Sequence, residues 1–242
     1  MCTVSLFPVH TAGFILTSNR DESPNRPAVI PRFSSLENTK LLFPEDPRSG
    51  GTWVGVSEKK RLVCLLNGGF ALHERKAMYR KSRGLVAKDL MLMEDVVEDV
   101  ENYNFKDIEP FTVVIVDWNT HLQFFELVWD GAKKHFEKLP LKPKIWSSST
   151  LYTEAMKKER QCWFHDFLIG NDRRAGQILT FHKSAGGKNR DYGVIMDRGF
   201  VKTTSITQVE KYNDVVKMRY ETLENKMVSE EVFDFQKSAL HG

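Results

Sequence analysis

Cys2 follows directly on Met1, so removal of the methionine would leave one residue carrying both a thiol and a free α-amine. The thiol is a latent nucleophile with an ordinary pKa of about 8.5, and the amine titrates at about 7.7–8.0, so near neutral pH part of it is an unprotonated base. Nucleophile and base then share one residue. The small Cys2 side chain is compatible with that removal. A second polar group, Asn19-Arg20-Asp21-Glu22, closes the apolar run Phe14-Ile15-Leu16-Thr17. Four ionic or amide side chains in a row are too polar for the core that the run enters, so the strand is expected to end at Ser18. A hairpin from residues 3–7 to residues 14–18 would return Asp21 towards Cys2. There Asp21 could hold the α-ammonium or orient the amine, and Arg20 could bind a carboxylate or phosphate in bidentate fashion. The alternative for the same residues is a frayed terminal cysteine and a solvated turn.

Further along, Gly50-Gly51 opens a strand over residues 52–57, with residues 61–66 as its antiparallel partner and Trp53 as a core aromatic. That partner ends at Asn67-Gly68-Gly69. This is either a plain turn or a place where glycines let a ligand approach backbone N–H groups closely, as an oxyanion site needs. The stretch Tyr79-Arg80-Lys81-Ser82-Arg83 is basic; it reads as a solvated face or as a holder for an anionic substrate.

Met1-Cys2, Asn19-Arg20-Asp21-Glu22 with Arg26-Pro27, Gly50-Gly51-Thr52-Trp53-Val54-Gly55-Val56 and Leu65-Leu66-Asn67 together resemble the NRDE family, also called the Transport and Golgi Organization 2 family. The resemblance is dense over residues 1–70 and thin afterwards. That family is similar to N-terminal nucleophile hydrolases of the bile-salt hydrolase and penicillin V acylase kind. The resemblance implies an α+β fold, a four-layer αββα sandwich. It gives Cys2 the nucleophile position, Asp21 the amine-orienting position and Asn67 part of the oxyanion hole; Asn19, Arg20 and Ser148 are expected to bind substrate.

It implies cleavage of an amide or acyl bond in a small molecule. The other implication is a carrier or trafficking protein for a hydrophobic ligand, since eukaryotic members are associated with Golgi organisation, lipid and acyl-CoA metabolism and haem mobilisation. Two positions depart from the pattern. Ser18 stands where the bile-salt hydrolase pattern has an arginine, and Ile145-Trp146-Ser147-Ser148-Ser149-Thr150 stands where the NRDE family shows Ser-Asn after a short strand. A Ser148 or Ser149 hydroxyl would have to replace that amide; loss of one preorganised oxyanion donor typically costs on the order of a hundredfold in rate.

The 242 residues are read as a single domain, residues 1–242, long enough to bury a substantial core. No apolar run approaches the roughly 20 residues that span a bilayer, and no Lys or Arg precedes the N-terminal apolar stretch as in a signal peptide. Three widely spaced cysteines, Cys2, Cys64 and Cys162, argue against a disulfide framework and agree with the cytoplasm. A net charge of +3, with Lys and Arg interleaved among Asp and Glu, gives no nucleic-acid footprint. No dinucleotide fingerprint, phosphate loop or nucleophile elbow is present, and Cys162-Trp163-Phe164-His165, though spaced like metal ligands, has no second pair and reads as part of a helix face, so neither metal nor cofactor is expected.

Periodicity places short strands at residues 28–32 and 41–43 and central strands at residues 111–116 and 121–129, followed by a third at residues 133–139. Helices are expected after Arg83, over residues 94–103, from Thr153 and over residues 174–183. Strands at residues 192–197, 200–207 and 215–223 complete the sheet.

Overall fold

In a computed structural model, which describes residues 3–9 and 12–238, the alternation of the first strand sends Val4 and Leu6 to one face and Thr3 and Ser5 to the other. Strands β1 (Thr3–Val9) and β2 (Gly13–Glu22) form the expected antiparallel hairpin, with Thr3 opposite Asn19. Next come β3 (Val29–Leu36), β4 (Thr39–Glu45), β5 (Val54–Ser57) and β6 (Arg61–Asn67). Helices α1 (Arg83–Leu92) and α2 (Val96–Asn102) lead to β7 (Phe111–Asp117), β8 (Gln123–Trp129), β9 (Lys134–Leu139) and β10 (Lys144–Ser147). Helices α3 (Glu154–Gly170) and α4 (Ala175–Ser184) precede β11 (Lys202–Tyr212), β12 (Val215–Thr222), β13 (Val228–Asp234) and the short α5 (Phe235–Ser238).

The strands form two antiparallel sheets. One has seven strands in chain order from β3 to β9; the other has six in the order β10-β1-β2-β11-β12-β13, so it joins the two ends of the chain. The faces of the sheets explain the layers. Leu16, Val4 and Met218 of the six-stranded sheet meet Val56, Cys64 and Val116 of the seven-stranded one in a core between the sheets. The outer face of the seven-stranded sheet buries Val86, Leu90 and Val100 of α1 and α2, and the outer face of the other buries Phe164, Ile178 and Phe181 of α3 and α4. This is the four-layer αββα arrangement expected from the resemblance.

Side-chain caps fix where the helices start. Ser82 accepts from the Leu85 N–H, Asp95 from Val97 and Glu98, and Thr153 from Met156; each such cap stabilises by about 1 kcal/mol. The buried Arg61 reaches from β6 to the last turn of α1, donating to the carbonyls of Leu90 (3.2 Å) and Met93 (2.5 Å) while pairing with Asp117 at 2.9 Å. It thereby fastens the helix layer to the sheet.

Three sequence expectations are corrected. β2 does not stop at Ser18; Asn19, Arg20 and Asp21 are buried inside it, because each side chain finds polar partners there. Residues 192–197 are not a strand. Asn189 folds the chain back by accepting from the N–H groups of Asp191 and Tyr192, and a Cβ on Gly193 would meet the Asn189 carbonyl at 2.4 Å, so the segment wraps in turns. An additional edge strand, β13, follows β12. Pro31 sits beside a register shift in the edge strand β3, where its missing N–H is harmless. Among the described residues no helix is long and apolar enough to cross a membrane, and no group of three His, Cys, Asp or Glu could hold a metal ion.

Candidate functional site

The polar quartet occupies the end of β2, and the period-2 alternation of a strand divides its members between two environments. Asn19 and Asp21 face the helices α3 and α4. Arg20 faces the other way, over the Trp53 ring with its guanidinium carbon 4.6 Å from the ring centre.

Asp21 is buried and gripped by two hydroxyls. Tyr152 donates to Oδ2 and Thr203 to Oδ1, each at 2.6 Å. A register shift between Thr203 and Ser205 in β11 brings the Thr203 hydroxyl opposite Asp21. Tyr152 is in turn covered by the Arg160 guanidinium, 3.6 Å from its ring centre. Arg160 donates to Thr3 Oγ1 (2.6 Å), Ser147 Oγ (3.2 Å) and the carbonyls of Tyr192 and Gly193. One fully buried arginine therefore ties together the start of β1, the end of β10 and the turns after α4.

Asn19 is fully buried, and its amide is occupied: Nδ2 donates to the carbonyls of His182 (3.0 Å) and Val194 (2.6 Å), and Oδ1 lies 2.7 Å from His182 Nδ1. These contacts tie β2 to α4 and to the turns after it. His182 also meets Ser5 Oγ at 2.7 Å. Burial, and after it the Arg160 charge, pushes the His182 pKa down to about 3, so the ring is neutral.

On the opposite side of β2, a cavity of about 420 Å³ opens at the end of the interface between the sheets. Arg20, Trp53 and Asn67 line it, as do the residues before β5 and the start of α1. Asn67 is the last residue of β6. Its carbonyl accepts from Ser148 Oγ at 2.6 Å, and the Gly69 carbonyl accepts from Ser149 Oγ at 2.6 Å, so the two serines after β10 are latched to the Asn67-Gly68-Gly69 turn. Gly68 has φ +87°, and a Cβ there would stand 2.9 Å from Thr150 Cγ2, which makes glycine necessary for this closure. Ser148 thus lies beside Asn67 with its hydroxyl committed to a backbone carbonyl.

Arg20 is held by Nη1, which donates to the Arg26 carbonyl (3.1 Å) and Thr204 Oγ1 (3.3 Å). Desolvation lowers its pKa, and the nearby Glu22, Tyr220 and Asp46 oppose that shift. The second nitrogen of the group, Nη2, is buried without a hydrogen bond, an arrangement that ordinarily costs about 1–3 kcal/mol. Cys2 lies outside the described residues. No local sequence signal points to Tyr152, Arg160, His182 or Thr203 as neighbours of this site, and Trp53, expected only as a core aromatic, is buried but also lines the cavity.

The layers and the strand order are those of the N-terminal nucleophile hydrolase fold, and solved structures with that fold match it. A conjugated bile acid hydrolase from Clostridium perfringens, in a variant whose second-residue cysteine is alanine, superposes with a TM-score of 0.55 at 13% identity, covering 100% of this chain and 94% of the other. Penicillin V acylase from Agrobacterium tumefaciens gives 0.52 at 12% identity, covering 98% and 87%, and the Caenorhabditis elegans N-acylethanolamine-hydrolyzing acid amidase ortholog gives 0.58 at 10%, covering 86% and 92%. At these identities the likeness is one of fold. A search of curated sequences returned no significant match. The profile of the Transport and Golgi organisation 2 family matches residues 1–172, and the chain belongs to that family.

Proposed function

We propose that the chain is a hydrolase that cleaves an amide or acyl bond of a small molecule, with Cys2 as its N-terminal nucleophile. The observation that carries this reading is Asp21, a buried carboxylate held at both oxygens by Tyr152 and Thr203, two strand positions beyond the residue paired with Thr3. A carboxylate so fixed beside the start of β1 suits the orientation of a terminal ammonium group. In the proposed reaction the Cys2 thiol passes its proton to the α-amine and its sulfur attacks the acyl carbon. Asn67 supports the oxyanion that forms, and Arg20 binds another part of the substrate. Collapse of that intermediate transfers the proton to the leaving group and leaves a thioester, which water hydrolyses to the free acid. The mechanism requires the Cys2 thiol on the cavity side of β1, the side of Val4. A cytoplasmic location belongs to the same proposal, in keeping with the free thiols of Cys64 and Cys162.

Two measurements test it. Intact mass of the purified protein should lack Met1, since a retained methionine blocks the amine. Limiting alkylation should label Cys2 before Cys162, and Asp21→Asn should change the pH dependence of that labelling without unfolding the chain. A mass that includes methionine, or a Cys2 rate profile indifferent to Asp21→Asn, defeats the proposal.

One observation favours the second reading, a non-catalytic carrier for haem or an acyl lipid. The Ser148 hydroxyl that would replace the missing amide donates to the Asn67 carbonyl instead. Stoichiometric haem should give only a broad, weak spectral change if the hydrolase reading holds; a sharp Soret shift abolished by one His or Cys substitution would establish the carrier.

A further inference from the structure

Three donors on the cavity wall, Arg20 Nη2, Arg26 Nε and Trp53 Nε1, make no hydrogen bond, and of these only Arg26 Nε has a carboxylate close by, Asp46 at 2.7 Å. Arg20 Nη2 and Trp53 Nε1 are both buried, each residue being 3% exposed, and neither has a hydrogen-bond partner. The stacking of the guanidinium over the indole sets them on one stretch of wall. A buried N–H without an acceptor is rare in a native protein and marks a place where a partner is missing.

Among the buried cations of the wall Arg20 is the least compensated; Arg75, 3.8 Å from Glu109, is exposed to solvent. Arg26 is matched by Glu22 at 3.3 Å and Asp46 at 2.7 Å, and Arg83 by Glu109 at 3.3 Å. Lys76 and Lys81 turn to Asp107 and Asp89. Arg20 Nη2 has only Asp46 Oδ2 at 3.8 Å, beyond hydrogen-bond reach, and that oxygen already serves Arg26. The start of α1, from Ser82 to Gly84, lines the same cavity and adds the positive end of a helix dipole.

We propose that this cavity is an oxyanion pocket that takes a carboxylate or phosphate group of the ligand, with Arg20 Nη2 and Trp53 Nε1 as its donors. A planar guanidinium and a single indole N–H are acceptor-seeking groups with no acceptor capacity of their own, so an anion satisfies both and offsets the guanidinium charge, whereas an ammonium satisfies neither. That the anion belongs to a hydrolysed substrate rests on the function proposed above; the pocket itself does not.

The test titrates the full chain with inorganic phosphate and, separately, with sodium acetate, chloride salts holding the ionic strength constant, and follows heat and tryptophan fluorescence. Saturable binding of either is expected, and the tighter of the two names the group, phosphate or carboxylate. Arg20→Gln should weaken it at least about tenfold and Trp53→Phe, which keeps an aromatic ring under the guanidinium and deletes the N–H, by about threefold. Arg32→Gln, at an exposed ion pair with Glu45, should leave it unchanged. If Arg20→Gln fails to fold, Trp53→Phe decides alone. Absence of saturable binding of both anions, or binding indifferent to the substitutions, overturns the pocket. Cys2 alkylation on the same samples separates the two readings: anion binding with an inert Cys2 sinks the hydrolase and keeps the pocket, whereas a reactive Cys2 with no anion binding does the reverse.

Discussion

The Asn19 amide grips His182 at two points, its Nδ2 donating to the His182 carbonyl at 3.0 Å and its Oδ1 accepting from the ring Nδ1 at 2.7 Å. The chemistry fixes every proton. Both partners of Nδ2 are carbonyls, so the amide cannot be flipped; Nδ1 must therefore carry the hydrogen, and the bare Nε2 must accept from the Ser5 hydroxyl. Asn19→Ala would strip two buried carbonyls and one ring N–H of their partner. It should destabilise the protein by about 2–4 kcal/mol, read from urea midpoints, while alkylation of Cys2 under native conditions stays within about twofold of the parent. A loss under about 0.5 kcal/mol would remove the structural role assigned to Asn19.

Acid should loosen the same tie. His182 titrates near its ordinary 6.5 when unfolded and at about 3 when folded. Between those values the unfolded chain binds one proton more, so this contribution is complete above pH 6.5 and declines as the pH falls towards 3, at up to about 1.4 kcal/mol per pH unit. His182→Gln should reduce the acid slope of stability between pH 6 and pH 4, measured by urea unfolding at each pH, by about that amount. Parallel slopes in the two proteins would contradict the burial of a neutral ring.

Cys64 should be inert in the native state. Desolvation pushes its thiol up to about 12, against some relief from Ser18, and the side chain is fully buried between the sheets. At pH 8 only about one thiol in ten thousand would be ionised, even with access to reagent. Its modification should thus begin only with global unfolding, and mass spectrometry across a urea series should show its labelling curve coincident with loss of tryptophan fluorescence. Earlier labelling would mean that the two sheets part locally.

Arg61 and Asp117 form a buried pair that also anchors the last turn of α1. Arg61→Met leaves a buried carboxylate uncompensated and should cost about 3–5 kcal/mol; adding Asp117→Leu should restore part of that loss, because a removed charge needs no partner. A double variant no better than the single one would assign the effect to the lost carbonyl contacts alone.

Much of this architecture was legible locally. The hairpin of β5 and β6, the paired β7 and β8, and the starts of α1 and α3 follow from alternation and from caps close in sequence. What escaped depends on distant partners. Asn19 and Asp21 read as too polar for a core because their partners Val194, His182 and Thr203 lie 163–182 residues away. Arg160 shares the helical spacing of its apolar neighbours, and nothing near it announces Thr3 as its acceptor. β13 escaped for the opposite reason: as a half-exposed edge strand with two successive glutamates, it has little apolar signal.

The two sheets also differ in when they can exist. Every neighbour in the seven-stranded sheet is consecutive in the chain, so it can close by hairpins while the polypeptide is still being made. β2 pairs with β11, whose first residue emerges 180 residues after Glu22, its register partner. Throughout that interval one edge of β2 offers Phe14, Ile15 and Leu16 with no partner strand, an invitation to intermolecular pairing. A ribosome stalled before residue 202 should therefore carry a protease-resistant seven-stranded half beside an N-terminal hairpin that still needs chaperone protection.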